Sequence, residues 1–231
     1  SPMRIFPLTL FTCAVESLST SAFPSPGDGR GTRHGRLEHW QEIYSADGAK
    51  SFSWYSGWED LKPFFEELVP WRGARILIPG IGNDGAMVQL YDAGWTNLVA
   101  FDYAASGVAR ALDLFGKRPV EIEVADARRL PYEAESFDAV LDKGTLDAVF
   151  LSGGLRPEHR AIQLQLAVDE LLRVLKPGGI VFSVSAAAAD QLPMAFKQAS
   201  WRTLRDGSLH VTEGGYASIN VDATMLAWER V

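Results

Sequence analysis

One stretch constrains this 231-residue chain more than any other: Ile76-Leu77-Ile78-Pro79-Gly80-Ile81-Gly82-Asn83-Asp84-Gly85. A short apolar run breaking into glycines reads as a buried strand, Arg75 to Pro79, entering a tight turn, Gly80 to Gly85, ahead of a helix. Glycines at 80, 82 and 85 match G-x-G-x-x-G, a pattern that lets the backbone bend sharply and approach a ligand without a Cβ clash. The same rhythm repeats downstream. Ala86 to Ala93 reads as a helix closed by Gly94. Leu98 to Phe101 is a second strand ending at Asp102, and Ala104 to Phe115 a helix stopped by Gly116. Val120 to Val124 is a third strand ending near Asp126, and Phe137 to Leu141 a fourth ending at Asp142. A long helix is expected from about Glu158 to Leu175, with Ile162, Leu166, Leu171, Leu172 and Leu175 as its apolar stripe. Pro177-Gly178-Gly179 then turns the chain into a fifth strand, Ile180 to Ser185.

Strands alternating with helices imply an α/β fold: a parallel sheet covered on both faces. The tail breaks the rhythm. Trp201 to Thr212 and Ser218 to Arg230 are extended runs separated by Gly214-Gly215, which reads as an antiparallel pair. A nucleotide dehydrogenase would be expected to continue with parallel crossovers; five parallel strands closed by a hairpin point instead to a Rossmann-like seven-strand variant of the doubly wound fold. Ahead of this core, Leu37 to Ala46 is a short helix carrying Trp40 and Tyr44 on one face, stopped by Asp47-Gly48. The aromatic run Phe52-Ser53-Trp54-Tyr55-Ser56-Gly57-Trp58 follows, then a helix with Leu61, Phe64, Phe65 and Leu68 at helical spacing. The expected organisation is a leading segment over 1–36, an N-terminal helical and aromatic arm over 37–72, and the α/β domain over 73–231.

Hydrophobic residues make up 47% of the chain and charged residues 22%, ordinary values for a globular protein. The net charge of -7 repels a phosphate backbone and argues against a nucleic-acid partner. Cys13 is the only cysteine, so no disulfide forms within one chain. His34, His39, His159 and His210 show no metal-ligand spacing; no metal is expected, and they read as surface or loop residues. No stretch is long and apolar enough for a membrane-spanning helix. Arg4 precedes a short apolar run, Ile5 to Val15, and Ser21-Ala22-Phe23-Pro24 follows. This is a signal-peptide pattern, and 21–24 resembles the cleavage motif of algal complex-plastid targeting sequences. Two readings stay open: a plastid-targeted precursor, or a loosely packed tail on a cytoplasmic protein. Residues 20–37 read as a linker.

The chemistry sits at the strand ends. Asp102, about 20 residues beyond the first glycine, is placed to accept both ribose hydroxyls of a nucleotide. That much fits NAD as well as S-adenosylmethionine. Asp126-Ala127 after the third strand adds an acceptor for an adenine amino group, and Asp142 ends the fourth strand where a methyl would lie. Any one of these acids alone reads better as a helix cap or a solvated loop residue. Three on the ligand-binding edge of one sheet weaken that reading.

Asp142-Lys143-Gly144-Thr145-Leu146-Asp147-Ala148 resembles the D-K-G-T-L-D-A stretch of the seven-strand protein-lysine methyltransferases related to the elongation factor 1-alpha and citrate synthase enzymes. Trp40, Tyr44 and Phe52-Ser53-Trp54-Tyr55 resemble that family's W-x-x-x-Y and F-x-W-Y elements. The turn departs from the family's G-C-G-N-S, reading Gly80-Ile81-Gly82-Asn83-Asp84. The resemblance implies S-adenosyl-L-methionine as cofactor and S-adenosyl-L-homocysteine as product. By position, Trp40, Tyr44 and Tyr55 would cap its methionine end, and Gly80 and Gly82 would line it. Asp102 would hold the ribose and Asp126 the adenine, Tyr103 and Ala127 would join the cofactor-binding residues, and Asp142 would lie beside the methyl. Asp142, Lys143 and Asp147 are the candidate catalytic residues: either acid would orient an ammonium and help its proton leave. Lys143 reads equally well as half of a structural ion pair. The expected activity is methyl transfer to a lysine on a protein. The alternatives are a small-molecule S-, N- or O-methyltransferase, an aminopropyl transferase on the same core, a non-catalytic cofactor-binding module and, more remotely, an NAD-dependent oxidoreductase.

Overall fold

The computed structural model describes residues 33–45, 51–209 and 223–231. The leading segment through residue 32, the Asp47-Gly48 stop, His210 and the Gly214-Gly215 turn lie outside the described residues. A 3-10 turn, Arg33–Gly35, opens the described chain, so the end of the expected linker is ordered. The elements that follow are α1 (Leu37–Ser45), α2 (Trp58–Leu68), β1 (Ile76–Pro79), α3 (Gly85–Asp92), β2 (Leu98–Asp102), α4 (Ala105–Phe115), β3 (Glu121–Val124), β4 (Phe137–Lys143), α5 (Thr145–Ser152), α6 (Pro157–Val174), β5 (Leu175–Ser185), α7 (Leu192–Ala195), β6 (Trp201–Leu209) and β7 (Ala223–Arg230).

The sheet order is β3-β2-β1-β4-β5-β7-β6. β1 to β5 pair in parallel, and β7 inserts antiparallel between β5 and β6. This is the expected Rossmann-like sheet with its antiparallel end. β1 and β2 are buried along their whole length because helices cover both faces. β3, at the edge, exposes Glu121 and Glu123, charges that discourage pairing with another chain. Two apolar layers sandwich the sheet. One gathers Ile76, Ile78 and Leu141 under α2 and α3; the other gathers Leu77, Val140 and Leu226 under α6. The strand order switches sides between β1 and β4, with β2 and β3 added on one side and β4 and β5 on the other, so the crevice at their carboxyl ends is where such a sheet takes a ligand.

Three expectations need correction. The face of α6 that is buried carries Leu164, Ala167, Val168, Leu171 and Val174, whereas Ile162 is 50% exposed and Leu166 only partly covered. Two overlapping apolar rows run along this helix, and the one with the smaller residues packs closely against the sheet. Leu175 is buried, but as the first residue of β5. Second, Pro177-Gly178-Gly179 lies inside β5 as an irregularity: Phe137 pairs with Leu175 and Ala139 with Ile180, with Gly178 at φ +78 between them. Third, His39 is buried and His34 half-buried, packed edge-on with ring centroids 5.1 Å apart; neither is a surface residue. α5 was not expected at all. Leu146, Val149, Phe150 and Leu151 leave it almost no polar face, so no periodicity announces it.

Candidate functional site

The turn after β1 holds its two first glycines in the left-handed region, Gly80 at φ +58 and Gly82 at φ +46. A Cβ on Gly80 would strike the hydroxyl of Thr145, and one on Gly82 the hydroxyl of Tyr44. Asp84 caps α3, accepting the Ala86 amide at 3.0 Å. Asp102, at the end of β2, accepts the Gly82 amide on one oxygen and the Ala104 amide on the other, both at 2.8 Å. Burial pushes its pKa up to about 6, against the pull of those amides. The missing side chain of Gly107 leaves room for this carboxylate. The β2 acid and the glycine turn are therefore one built unit.

The arm docks against that unit. Trp40 stacks on Tyr44 with centroids 5.8 Å apart, and its indole N–H donates to the His34 carbonyl at 2.8 Å. The Tyr44 carbonyl accepts from Arg110 on α4, and Ser106 donates to the Gln41 carbonyl. Burial and the nearby Asp102 and Asp84 push the Tyr44 hydroxyl well above its usual pKa. Tyr55 sits at φ +64, unusual for a bulky residue, and its hydroxyl donates to Asp147 at 2.5 Å. Between arm and turn lies a cleft lined in part by Tyr44, Phe52, Trp54, Gly80, Asp84 and Lys143. Trp58 takes no part; it is buried edge-on against Trp95 and Phe65.

The carboxylates after β4 have other partners. Asp142 is fully enclosed: one oxygen accepts the Thr145 and Leu146 amides at 3.0 and 3.2 Å, the other the Ser183 hydroxyl at 2.6 Å. It ties the start of α5 to β5, and burial, with a contribution from Asp147, pushes its pKa up to about 7. Asp147 accepts from the Ser185 and Tyr55 hydroxyls and the Ala186 and Ala188 amides. Neither carboxylate faces open space, which corrects the expectation that one of them orients an incoming ammonium. Lys143 donates to the Asp84 carboxylate at 2.8 Å, the Ser56 carbonyl at 2.7 Å and the Ser53 hydroxyl. Of the two readings open for Lys143, the structure holds the ion pair.

At the far end of the crevice, Asp126 is half-buried and held by Arg128, which donates to both its oxygens; Arg128 also donates to Gln163. Ala127 is buried, and Tyr103 lies beside this pair, its ring 5.9 Å from the Arg128 guanidinium. Sequence reading passed over Asp84, Ser53, Ser183, Ser185 and Arg128. Only Asp84 left a sequence signal, as a cap residue directly ahead of a helix and a departure from G-C-G-N-S.

Residues 77–183 match the family model of a methyltransferase domain. Among curated proteins, the chain is 31% identical over 169 residues to the eEF1A lysine and N-terminal methyltransferase of Xenopus laevis, covering 71% of this chain and 24% of that protein. It is 32% identical over 160 residues to EEF1A lysine methyltransferase 4 of Mus musculus, covering 66% of this chain and 61% of that one. The chain thus spans about a quarter of the length of the first relatives it matches. Among solved structures, the N-methyltransferase NodS of Bradyrhizobium japonicum WM9, in complex with S-adenosyl-L-homocysteine, superimposes with a TM-score of 0.62 at 13% identity, covering 84% of this chain and 97% of that one. That likeness speaks for the fold, and the matched domain spans β1 to β5, the strands that build the crevice. Strand order and sequence point the same way: from β1 to β5 the chain is similar to a methyltransferase domain, on a sheet whose fold it shares with a methyltransferase of known structure.

Proposed function

We propose that this chain transfers a methyl group from S-adenosylmethionine to the side-chain nitrogen of a lysine on a protein. The observation that carries the cofactor half is the glycine turn locked to the β2 acid beneath an aromatic wall. Gly80 and Gly82 hold the turn in the left-handed region, Asp102 is tied to that turn through the Gly82 amide, and aromatic side chains face the cleft. These residues fit an adenosyl sulfonium. Asp102 with Tyr103 would take the ribose. Asp126 with Ala127 would take the adenine, with Arg128 keeping the carboxylate in orientation. Trp40, Tyr44 and Tyr55 would cap the methionine end, where each well-placed ring attracts a cation by roughly 0.5 to 2 kcal/mol. When bound, the cofactor supplies a methyl on an activated leaving group, so the protein's work is positioning and drying the nucleophile.

The acceptor half rests on the curated relatives named for lysine methylation of eEF1A and on Asp142 to Ala148. In this reading Asp142 and Asp147 shape the corner beside the methyl, and the lysine surrenders its proton to solvent. The test is incubation of the protein with methyl-labelled cofactor and, in separate arms, purified elongation factor 1A, lysate proteins and a metabolite extract. Label on a protein lysine, read by peptide mass spectrometry, is the expected result. Label confined to a small molecule would overturn the acceptor, and absence of both binding and transfer would overturn the cofactor.

A further inference from the structure

From Gly82 to Gly85, every residue of the glycine turn meets a residue of the arm. The Tyr44 hydroxyl fills the space a Cβ on Gly82 would need, and the Ser51 hydroxyl does the same at Gly85. Between them the Phe52 amide donates to the Asn83 carbonyl at 3.1 Å, and the Ser53 hydroxyl to the Asp84 carboxylate at 2.6 Å. Lys143, reaching from the end of β4, spends its three protons on Asp84, Ser53 and the Ser56 carbonyl, with its side chain only 4% exposed. Arm, turn and sheet thus meet at one buried ion pair. Asp84 stands where the resembled family carries serine, so the charge that answers Lys143 belongs to this chain's own version of the turn.

We propose that Asp84 and Lys143 are positioning residues for the methyl-transfer reaction: they clasp residues 51–56 onto the glycine turn, so that Phe52 and Trp54 stand as a finished wall before the cofactor arrives. The proposal rests on the methyltransferase reading above. Its physical basis is preorganisation. A wall ordered only on binding lowers affinity by the cost of ordering it. A buried pair resists opening because separating it leaves an uncompensated charge out of water. The Arg118–Asp92 ion pair, by contrast, is substantially exposed on both partners and has no such leverage.

The test compares wild type with Asp84→Ser, Lys143→Met, the double variant and Arg118→Ala as a control. S-adenosylhomocysteine affinity is read by calorimetry and amide exchange over 51–57 by mass spectrometry. Serine keeps the cap of α3, so Asp84→Ser removes the charge without stripping the helix of its cap. Both single variants and the double are expected to lose about tenfold or more in affinity and to exchange the arm amides faster. In turnover, they should raise KM for the cofactor more than they lower kcat. Arg118→Ala should match wild type. Recovery of wild-type affinity and exchange in the double variant would reduce the pair to two charges that merely cancel, and would overturn the clasp. So would wild-type behaviour of Asp84→Ser, which decides the matter even if Lys143→Met does not fold. A wild type that binds no S-adenosylhomocysteine defeats the methyltransferase reading instead; the exchange comparison still tests the clasp.

Discussion

Asp102 and Asp147 lie on opposite sides of the β1–β4 crevice, and they do opposite work. Asp102 accepts the Gly82 amide on one oxygen and the Ala104 amide on the other, with the Tyr103 amide also turned to it, and all three belong to the turns that frame the crevice. Asp147 accepts from four groups that belong to three separate places: Tyr55 in the arm, Ser185 on β5, and Ala186 and Ala188 in the loop beyond it. A carboxylate offers roughly four lone-pair sites. Asp147 has filled them with protein, while Asp102 keeps acceptor capacity. The same side chain at the same sheet edge is a knot in one case and a receptor in the other. What separates them is the tally of donors around each, which no linear motif records.

The sharpest way to break this comparison is Asp147→Ala. It strands two hydroxyls and two amides in a nearly closed corner, each left without its partner. A loss of about 3 kcal/mol or more in stability is expected, which in a chain of this size lowers Tm by on the order of 10 °C. Thermal unfolding checks it. Asp102→Asn should do the reverse: a smaller change in Tm, but about a hundredfold loss in S-adenosylhomocysteine affinity, since charge-assisted hydrogen bonds are worth roughly 1.5 to 3 kcal/mol each. If calorimetry found affinity intact while Tm collapsed, Asp102 would be a second knot and the distinction would fail.

A milder effect concerns pH. Asp142 is fully enclosed with its pKa raised to about 7, and Asp102 is raised to about 6. An acid whose folded pKa lies above its unfolded value binds its proton more readily in the native state between the two values. Each group therefore lowers stability as pH rises from about 4 through its folded pKa, by linkage. Asparagine at 142 accepts the Thr145 and Leu146 amides on its oxygen, and the Ser183 hydroxyl can turn to accept its NH2 group. Relative to wild type, Asp142→Asn should gain Tm between pH 5.5 and 7.5, the difference widening with pH. A difference that stays flat across that window would mean the carboxylate is already charged at its lower end.

Much of the fold was legible in the chain, because the parallel strands are short apolar runs punctuated by glycine or an acid, and periodicity reads such runs well. The site was legible in position but less so in role. Asp142 and Lys143 stand out in the sequence, yet their partners Ser183, Ser53 and Asp84 lie 30 or more positions away. Lys143 facing an acid was foreseen only as one of two readings. The glycines carry a similar lesson. A spaced glycine pattern reads as room for a ligand, but at Gly82 and Gly85 the room is taken by Tyr44 and Ser51 of the chain itself.

A last pair of substitutions tests the one helix read in the wrong phase, and its informative member is the one expected to do almost nothing. Ile162 and Leu164 sit two positions apart on α6, where neighbours at that spacing point in different directions. The sequence reading places Ile162, and not Leu164, in the apolar stripe of the helix. The structure leaves it 50% exposed and buries Leu164 to 2%. Leu164→Ala opens a cavity under the helix and should cost about 2 to 5 kcal/mol. Ile162→Ser removes little that is shielded from water and should change stability by no more than about 0.5 kcal/mol. The contrast between them, measured by chemical unfolding, reports the rotation of the helix directly. Equal losses would mean that α6 is turned so that both rows share the contact, which would also move Gln163 away from Arg128 and loosen the hold on Asp126 at the far end of the crevice.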